Sequence, residues 1–192
     1  TASNKTSLYS SNFYVVNSEL RVYICLHNGI DPENPNGKPS LDEPKFTDLE
    51  PRVAGTSGDG YIWKYLYTIS PSDIIKFDSL NFIPLPVDWE TNSDFTPIRN
   101  NAKTSGQIKV ATIANRGYLV GPANTTYTRV PIKGDGYGAE CTIVINNDSK
   151  VESITISNGG SGYTYGSVDL VAGNVPVGNT TPIFNIIIIF KA

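Results

Sequence analysis

The sequence predicts a mainly β protein: an antiparallel β-sandwich with one short helix and long loops. Three observations carry this. Apolar and polar residues alternate with period two in several short runs, aromatic and β-branched residues concentrate in those runs, and Gly and Pro clusters separate them. The 192 residues include 17 Gly, 13 Pro and 11 Tyr. That length suffices for one or two domains with a real core.

Glu19–His27 reads as the first strand, with Leu20, Val22, Ile24 and Leu26 on one face and Arg21, Tyr23 and Cys25 on the other. Asn28-Gly29 ends it as a turn. Residues 31–58 carry Pro32, Pro35, Pro39, Pro44 and Pro51, and proline removes ladder donors, so the stretch reads as a long loop that cannot be central strand. Tyr61–Ile69 follows as an aromatic strand, with Tyr61, Trp63, Tyr65, Tyr67 and Ile69 assigned to one face. Both of its faces are largely apolar, so each must be covered, by the fold or by a partner.

Ser70-Pro71-Ser72-Asp73 has the chemistry of a helix start: a capping hydroxyl, proline at the first position and an acid near the positive dipole end. The helix is expected to end near Asp78. Asn81–Val87 reads as an extended edge segment because of Pro84 and Pro86, and 88–105 as a polar, irregular boundary. Beyond it, Gln107–Ile113, Ala139–Asn146 and Val151–Ser157 alternate as strands, with a hairpin turn at Asn147–Lys150. Gly/Tyr punctuation recurs at Arg116-Gly117-Tyr118, Gly134–Tyr137 and Gly160–Tyr163 as a weak repeat. Ile183–Phe190 is apolar at every position but Asn185 and is expected in the middle of a sheet.

Composition bounds the chemistry. Charged residues are 17% and the formal net charge is −3, with no basic block, so phosphate-driven nucleic-acid binding is not expected. The longest apolar run, Ile186–Phe190, is too short to span a bilayer. The chain opens on Thr1 with no apolar leader and contains no Met, and it reads as a fragment or a processed product. Cys25 and Cys141 sit in apolar runs and read as buried free thiols in a reducing compartment.

No catalytic constellation emerges. The single histidine, His27, ends a strand and reads as structural, and with two distant cysteines it makes no zinc set. Asn146–Lys150 and Gly134–Gly136 read as turns, not calcium loops. Gly55–Gly60 and Asn158–Gly162 each lead into strands, so neither presents a helix N-terminus to a phosphate. The 18 Asp and Glu include no pair that the sequence singles out for glycoside hydrolysis. The expectation is therefore no enzyme activity, no cofactor, no metal and no small-molecule substrate.

Arg21–Leu26, the Pro-rich loop and Asp59-Gly-Tyr-Ile-Trp-Lys-Tyr-Leu-Tyr67 followed by Ser70–Asp73 resemble the gene-product-eight family of baseplate wedge subunits in T-even-like contractile-tailed bacteriophages. Phe82–Val87 and the closing Phe184–Phe190 extend the likeness, which covers about residues 13–90 and the last ten or so. The resemblance implies a virion structural protein made in the host cytoplasm, a homodimer, and other baseplate wedge proteins as partners. It implies a wedge-type β domain over 1–100 completed by the C-terminal strand 179–192, with 101–178 an inserted Gly/Tyr-punctuated β domain. Pro35, Pro39, Phe46, Tyr61, Trp63, Tyr65 and Tyr67 are the interface candidates, with the Asp31–Gly58 loop foremost because it cannot form sheet alone. Two rival readings are a carbohydrate-binding module, with Tyr61–Tyr67 as an exposed stacking platform, and a glycosidase or similar hydrolase with two carboxylates in a cleft.

Overall fold

The computed structural model describes residues 13–77, 82–102 and 104–189. Asp78, Asn81 and Phe190, named above, lie outside the described residues, as does the stretch 1–12. The strands are β1 (Tyr14–Val16), β2 (Arg21–Asn28), β3 (Arg52–Val53), β4 (Tyr61–Thr68), β5 (Gln107–Asn115), β6 (Thr126–Gly134), β7 (Tyr137–Ile145), β8 (Val151–Ser161), β9 (Gly166–Val168) and β10 (Ile183–Ile189). Two short helices, α1 (Pro71–Phe77) and α2 (Thr96–Asn101), lie between β4 and β5. Every strand pair is antiparallel, and the protein is mainly β. The chain divides into two compact units at Asn101 and Ala102, with Asp31–Pro35 belonging to the second.

The first unit is one four-stranded sheet in the order β1-β2-β4-β3. Residues 31–58 are not all loop, since Arg52–Val53 pairs with Trp63 and Ile62 of β4 as an edge strand. Proline content and an edge position agree, because an edge strand needs donors on one side only. A register shift sets the packing. Val22 faces Tyr67 and Tyr23 faces Tyr65, so Leu66 is an extra residue on β4. A one-residue bulge reverses the alternation that follows it. Trp63 and Tyr65 therefore join Tyr23 and Ala54 in one buried cluster, while Tyr67 and Ile69 join Val22 in another. This corrects the expectation of a single aromatic face.

α1 begins as its sequence dictates, with the Ser70 hydroxyl accepting from the Asp73 N–H at 3.2 Å. The stretch 88–105, expected to be irregular, contains a 3₁₀ turn at Ser93–Phe95 running into α2. Asn92 caps it by accepting from the Asp94 N–H at 2.9 Å, and the Arg99 guanidinium gathers the carbonyls of Trp89 and Asn92. Six residues are too few for a periodic apolar stripe to show, which hid this helix from a pattern reading.

The second unit holds a four-stranded sheet, β8-β7-β6-β9, and a two-stranded sheet, β10-β5. They enclose one core that includes Ile108, Val130, Cys141, Ile143, Ile145, Val151 and Tyr163. The sheets are tied at one side, where Arg116 O accepts from Val151 N–H at 2.9 Å and Ser105 O from Gly162 N–H at 3.1 Å. β10 pairs with β5. It thus belongs to the second unit, where expectation had it completing the first, and it lies at the end of its sheet, not in the middle. Its aliphatic content is explained by Phe184, Ile186 and Ile188 packing on the core. The turn after β7 forms as expected, with Asn146 Oδ1 accepting from the N–H groups of Asp148 and Lys150, both at 3.0 Å.

Two of the Gly/Tyr motifs are parts of one device. β6 and β7 pair as far as Pro131 and Glu140, then part: Ile132–Gly134 pairs with β9, and Tyr137 and Ala139 pair with β8. The Tyr163 side chain bridges the parting strands. Its hydroxyl donates to Ile132 O at 3.0 Å and accepts from Ala139 N–H at 3.2 Å, satisfying two buried backbone groups. A Cβ at Gly136 would lie 2.5 Å from this ring, and one at Gly160 2.8 Å from it. Glycine is required there for space. We expect Gly136→Ala to destabilise the second unit by about 1–3 kcal/mol through overpacking. A urea titration that follows exposure of the buried Cys141 thiol reads this, and an unchanged midpoint contradicts it.

Candidate interaction surface

The interface candidates separate into buried and exposed. Trp63, Tyr65 and Tyr67 are buried at 5%, 9% and 5% exposure. Phe46 and Tyr61 are half-buried and pack on the same cluster as Trp63. Pro35 and Pro39 are exposed. The strand that was expected to meet partners is thus spent on the chain's own interior. Tyr61 and Trp63 stack at 5.4 Å between ring centroids, and Tyr23 meets Phe46 at 5.4 Å and Tyr65 at 5.8 Å edge-on. Such pairs stabilise by about 0.5–1.5 kcal/mol beyond area burial. The sugar-platform reading fails at this strand for the same reason, because stacking on a pyranose needs exposed ring faces.

The Pro-rich loop is fastened to the sheet by side chains. The Tyr23 hydroxyl donates to Phe46 O at 2.6 Å and the Tyr61 hydroxyl to Lys38 O at 2.9 Å. Lys64 Nζ donates to Leu49 O at 2.6 Å. Asp59, at 4% exposure, accepts from Leu41 N–H at 2.8 Å and Tyr61 N–H at 2.9 Å. Asn17 spans the β1–β2 turn and the loop: its Oδ1 accepts from Glu19 and Arg21 N–H, and its Nδ2 donates to Pro44 O at 2.8 Å. The sequence analysis singles out neither residue for this role, since Asn17 precedes the first recognisable strand and Asp59 stands there only as the start of the Asp59–Tyr67 motif. His27 sits in the same region, with Nδ1 3.0 Å from Gly60 O and 3.3 Å from Gly29 N, a turn-bracing position.

The large apolar side chains left outside lie elsewhere. In the first unit Ile75, Phe82, Leu85 and Val87 are 85%, 75%, 76% and 97% exposed. Residues 82–86 belong to no helix or sheet. They are held by the Tyr67 hydroxyl, which donates to Pro84 O at 2.9 Å, and by Ile83, which packs against the Val22, Tyr67 and Ile69 cluster. Ile83 faces in, and Phe82, Leu85 and Val87 face out. The sequence carried a signal for this: an apolar run broken by Pro84 and Pro86 cannot join a ladder on both sides.

Chemistry-bearing groups are dispersed. Among the described residues no group of three or more His, Cys, Asp or Glu could hold a metal ion. Asp135, a candidate oxygen donor by sequence, accepts from the Thr164 hydroxyl, from Thr164 N–H at 2.8 Å and from Tyr165 N–H at 3.2 Å, and these bonds, the hydroxyl's foremost, lower its carboxyl to about 2. Cys25 and Cys141 are free thiols, pushed up by burial to about 11 and about 12, and so are poor nucleophiles at neutral pH. No described helix is long and apolar enough to cross a membrane. Comparison with protein-family models, with characterised proteins and with solved structures finds no match.

Burial raises the phenols of Tyr23, Tyr61 and Tyr67 above their ordinary value of 10.0. The unfolded chain releases these protons near the ordinary value, while the fold retains them. Stability from these groups is therefore complete below about pH 10 and is lost as pH rises through the raised values. In an alkaline titration we expect loss of the circular dichroism signal above pH 10 to coincide with a part of the phenolate absorbance rise, that of the buried tyrosines. Ionisation of all phenols at the ordinary value with the sheet signal intact contradicts this.

Proposed function

We propose that this chain is a structural subunit of a phage tail baseplate wedge, acting through protein–protein packing in virion assembly and tail contraction and carrying no catalytic step. The resemblance of Arg21–Leu26, Asp59–Tyr67 and Phe82–Val87 to the wedge family supports the identity. The observation that carries the mode of action is the outward row Phe82, Leu85 and Val87, with Ile75 nearby in sequence, on a segment held to a sheet.

A surface apolar side chain gains about 25 cal/mol per Å² when covered. Ordering a free segment opposes that gain by about 1–2 kcal/mol per residue. Here Pro84 and Pro86 restrict the backbone, and the Tyr67–Pro84 bond and Ile83 fix it to the sheet. Burial of the outward row against a neighbouring subunit therefore carries little ordering cost, which is the meaning of preorganisation at an interface. Low surface charge acts the same way, since uncharged polar groups lose less on desolvation than ions. Wedge neighbours and a second copy of the chain are the partners this reading implies.

The test is association. We expect the purified chain to have a solution mass above that of a monomer, or to capture virion structural proteins from a phage lysate. The triple variant Phe82→Glu, Leu85→Ser, Val87→Glu is expected to lose that association while unfolding within about 0.5 kcal/mol of the parent, as surface changes do. A monomer that captures no virion protein, or a triple variant that associates as the parent does, overturns the reading.

A further inference from the structure

β1 is an edge strand, and its hydrogen-bonding geometry identifies what its outer side can receive. Cys25 N–H donates to Phe13 O at 2.8 Å and Asn17 N–H to Arg21 O at 3.0 Å, and Val15 is opposite Tyr23. Antiparallel ladders alternate, so Phe13, Val15 and Asn17 turn their backbone groups toward β2. Tyr14 and Val16 therefore turn their N–H and C=O groups outward, where the sheet order places no further strand among the described residues.

Beside this edge lies a depression of about 300 Å³ lined by Val15, Val16, Asn17, Ser40–Pro44 and Trp63. Trp63 is 5% exposed, and its indole Nε1 is buried without a hydrogen-bond partner. A buried unpaired donor is costly, and an acceptor brought to it removes that cost. The rim carries the Asp42 and Glu43 carboxylates: Asp42 accepts from Ser57 N–H at 2.8 Å, and Glu43 accepts from Ser18 N–H at 2.5 Å and pairs with Lys45 at 3.2 Å, which leaves one of the two negative charges without a cation.

We propose that this edge receives an extended segment of a partner protein that adds to β1 as a strand, reaches a side-chain oxygen over Val15 into the depression toward Trp63 Nε1 and carries Lys or Arg toward Asp42 and Glu43. Three features select this occupant together. Outward N–H and C=O groups two residues apart match an extended backbone. The orphan indole N–H calls for an acceptor, and the acidic rim calls for a cation. The site is separate from the Phe82–Val87 row and stands whether or not the chain is a baseplate subunit.

The experiment pans the immobilised full chain against displayed random peptides and then follows binding of a selected peptide by NMR of the ¹⁵N-labelled chain. We expect selected peptides to be enriched in Lys or Arg and to shift the Trp63 indole N–H signal downfield. Val16→Pro removes an outward donor and leaves the β1–β2 bonds in place, and it is expected to weaken binding about tenfold with the melting temperature retained. Trp63→Phe, which removes the indole donor from a buried ring, is expected to weaken it similarly. Failure to enrich any peptide over the bare support overturns the proposal. So does binding to Val16→Pro at parental affinity, or an indole signal that stays in place when peptide binds.

Discussion

Tyrosine hydroxyls donated to backbone carbonyls hold the irregular parts of this protein to its sheets. Tyr23 reaches Phe46 O, Tyr61 reaches Lys38 O and Tyr67 reaches Pro84 O. Tyr163 does the same between parting strands, at Ile132 O. Each ring buries apolar area at its base and satisfies a carbonyl at its tip, which is the particular use of an amphipathic aromatic. Proline-rich segments need such partners, since they cannot satisfy their backbone groups in a ladder. Each bond adds only about 1 kcal/mol net, and at Ile132 it also removes the cost of an orphaned buried carbonyl.

The functional consequence follows from where the rings go. With Trp63, Tyr65 and Tyr67 inside, the aromatic strand has no free face, and the outward apolar row is displaced to Phe82–Val87. The tie from Tyr67 to Pro84 links the two: a strand residue whose ring is interior fixes the backbone of the segment whose side chains are exterior. Glycine plays the complementary part in the second unit. Gly136 and Gly160 leave room for the Tyr163 ring, so a repeat visible in the sequence is one packing device and not two binding motifs.

Much of the fold was legible in the residues. Alternation placed β2, β4, β5, β7 and β8, and Ser70-Pro71 placed α1, because these signals are local. What was missed depends on contacts distant in sequence. The extra Leu66 that splits the aromatic face is a property of pairing with β2, and no period-two count on β4 alone reveals it. β6 was hidden by Pro131 and by a register shift at Thr128 and Arg129, where Arg129 takes a positive φ of 55°. β1 is three residues long, below the length at which alternation is visible. The placement of β10 followed composition, and composition does not distinguish a strand buried by sheet neighbours from an edge strand buried by a core. For Trp63, Tyr65 and Tyr67 the same limit applies: apolar on both faces means covered, and the chain itself supplies the cover, through Phe46 and Leu49 for Trp63 and Tyr65 and through Ile74, Ile83 and Trp89 for Tyr67.

The central claim is that phenol-to-carbonyl bonds, not partners, order the 38–46 loop. Amide hydrogen exchange on the isolated chain carrying Tyr23→Phe and Tyr61→Phe tests it most directly, since these changes remove two hydroxyls and leave the rings. Exchange around Lys38 and Phe46 is predicted to rise by about tenfold or more, at roughly 1–1.5 kcal/mol per bond, with the amides of β4 keeping their protection. Equal loop protection in parent and variant would contradict the account.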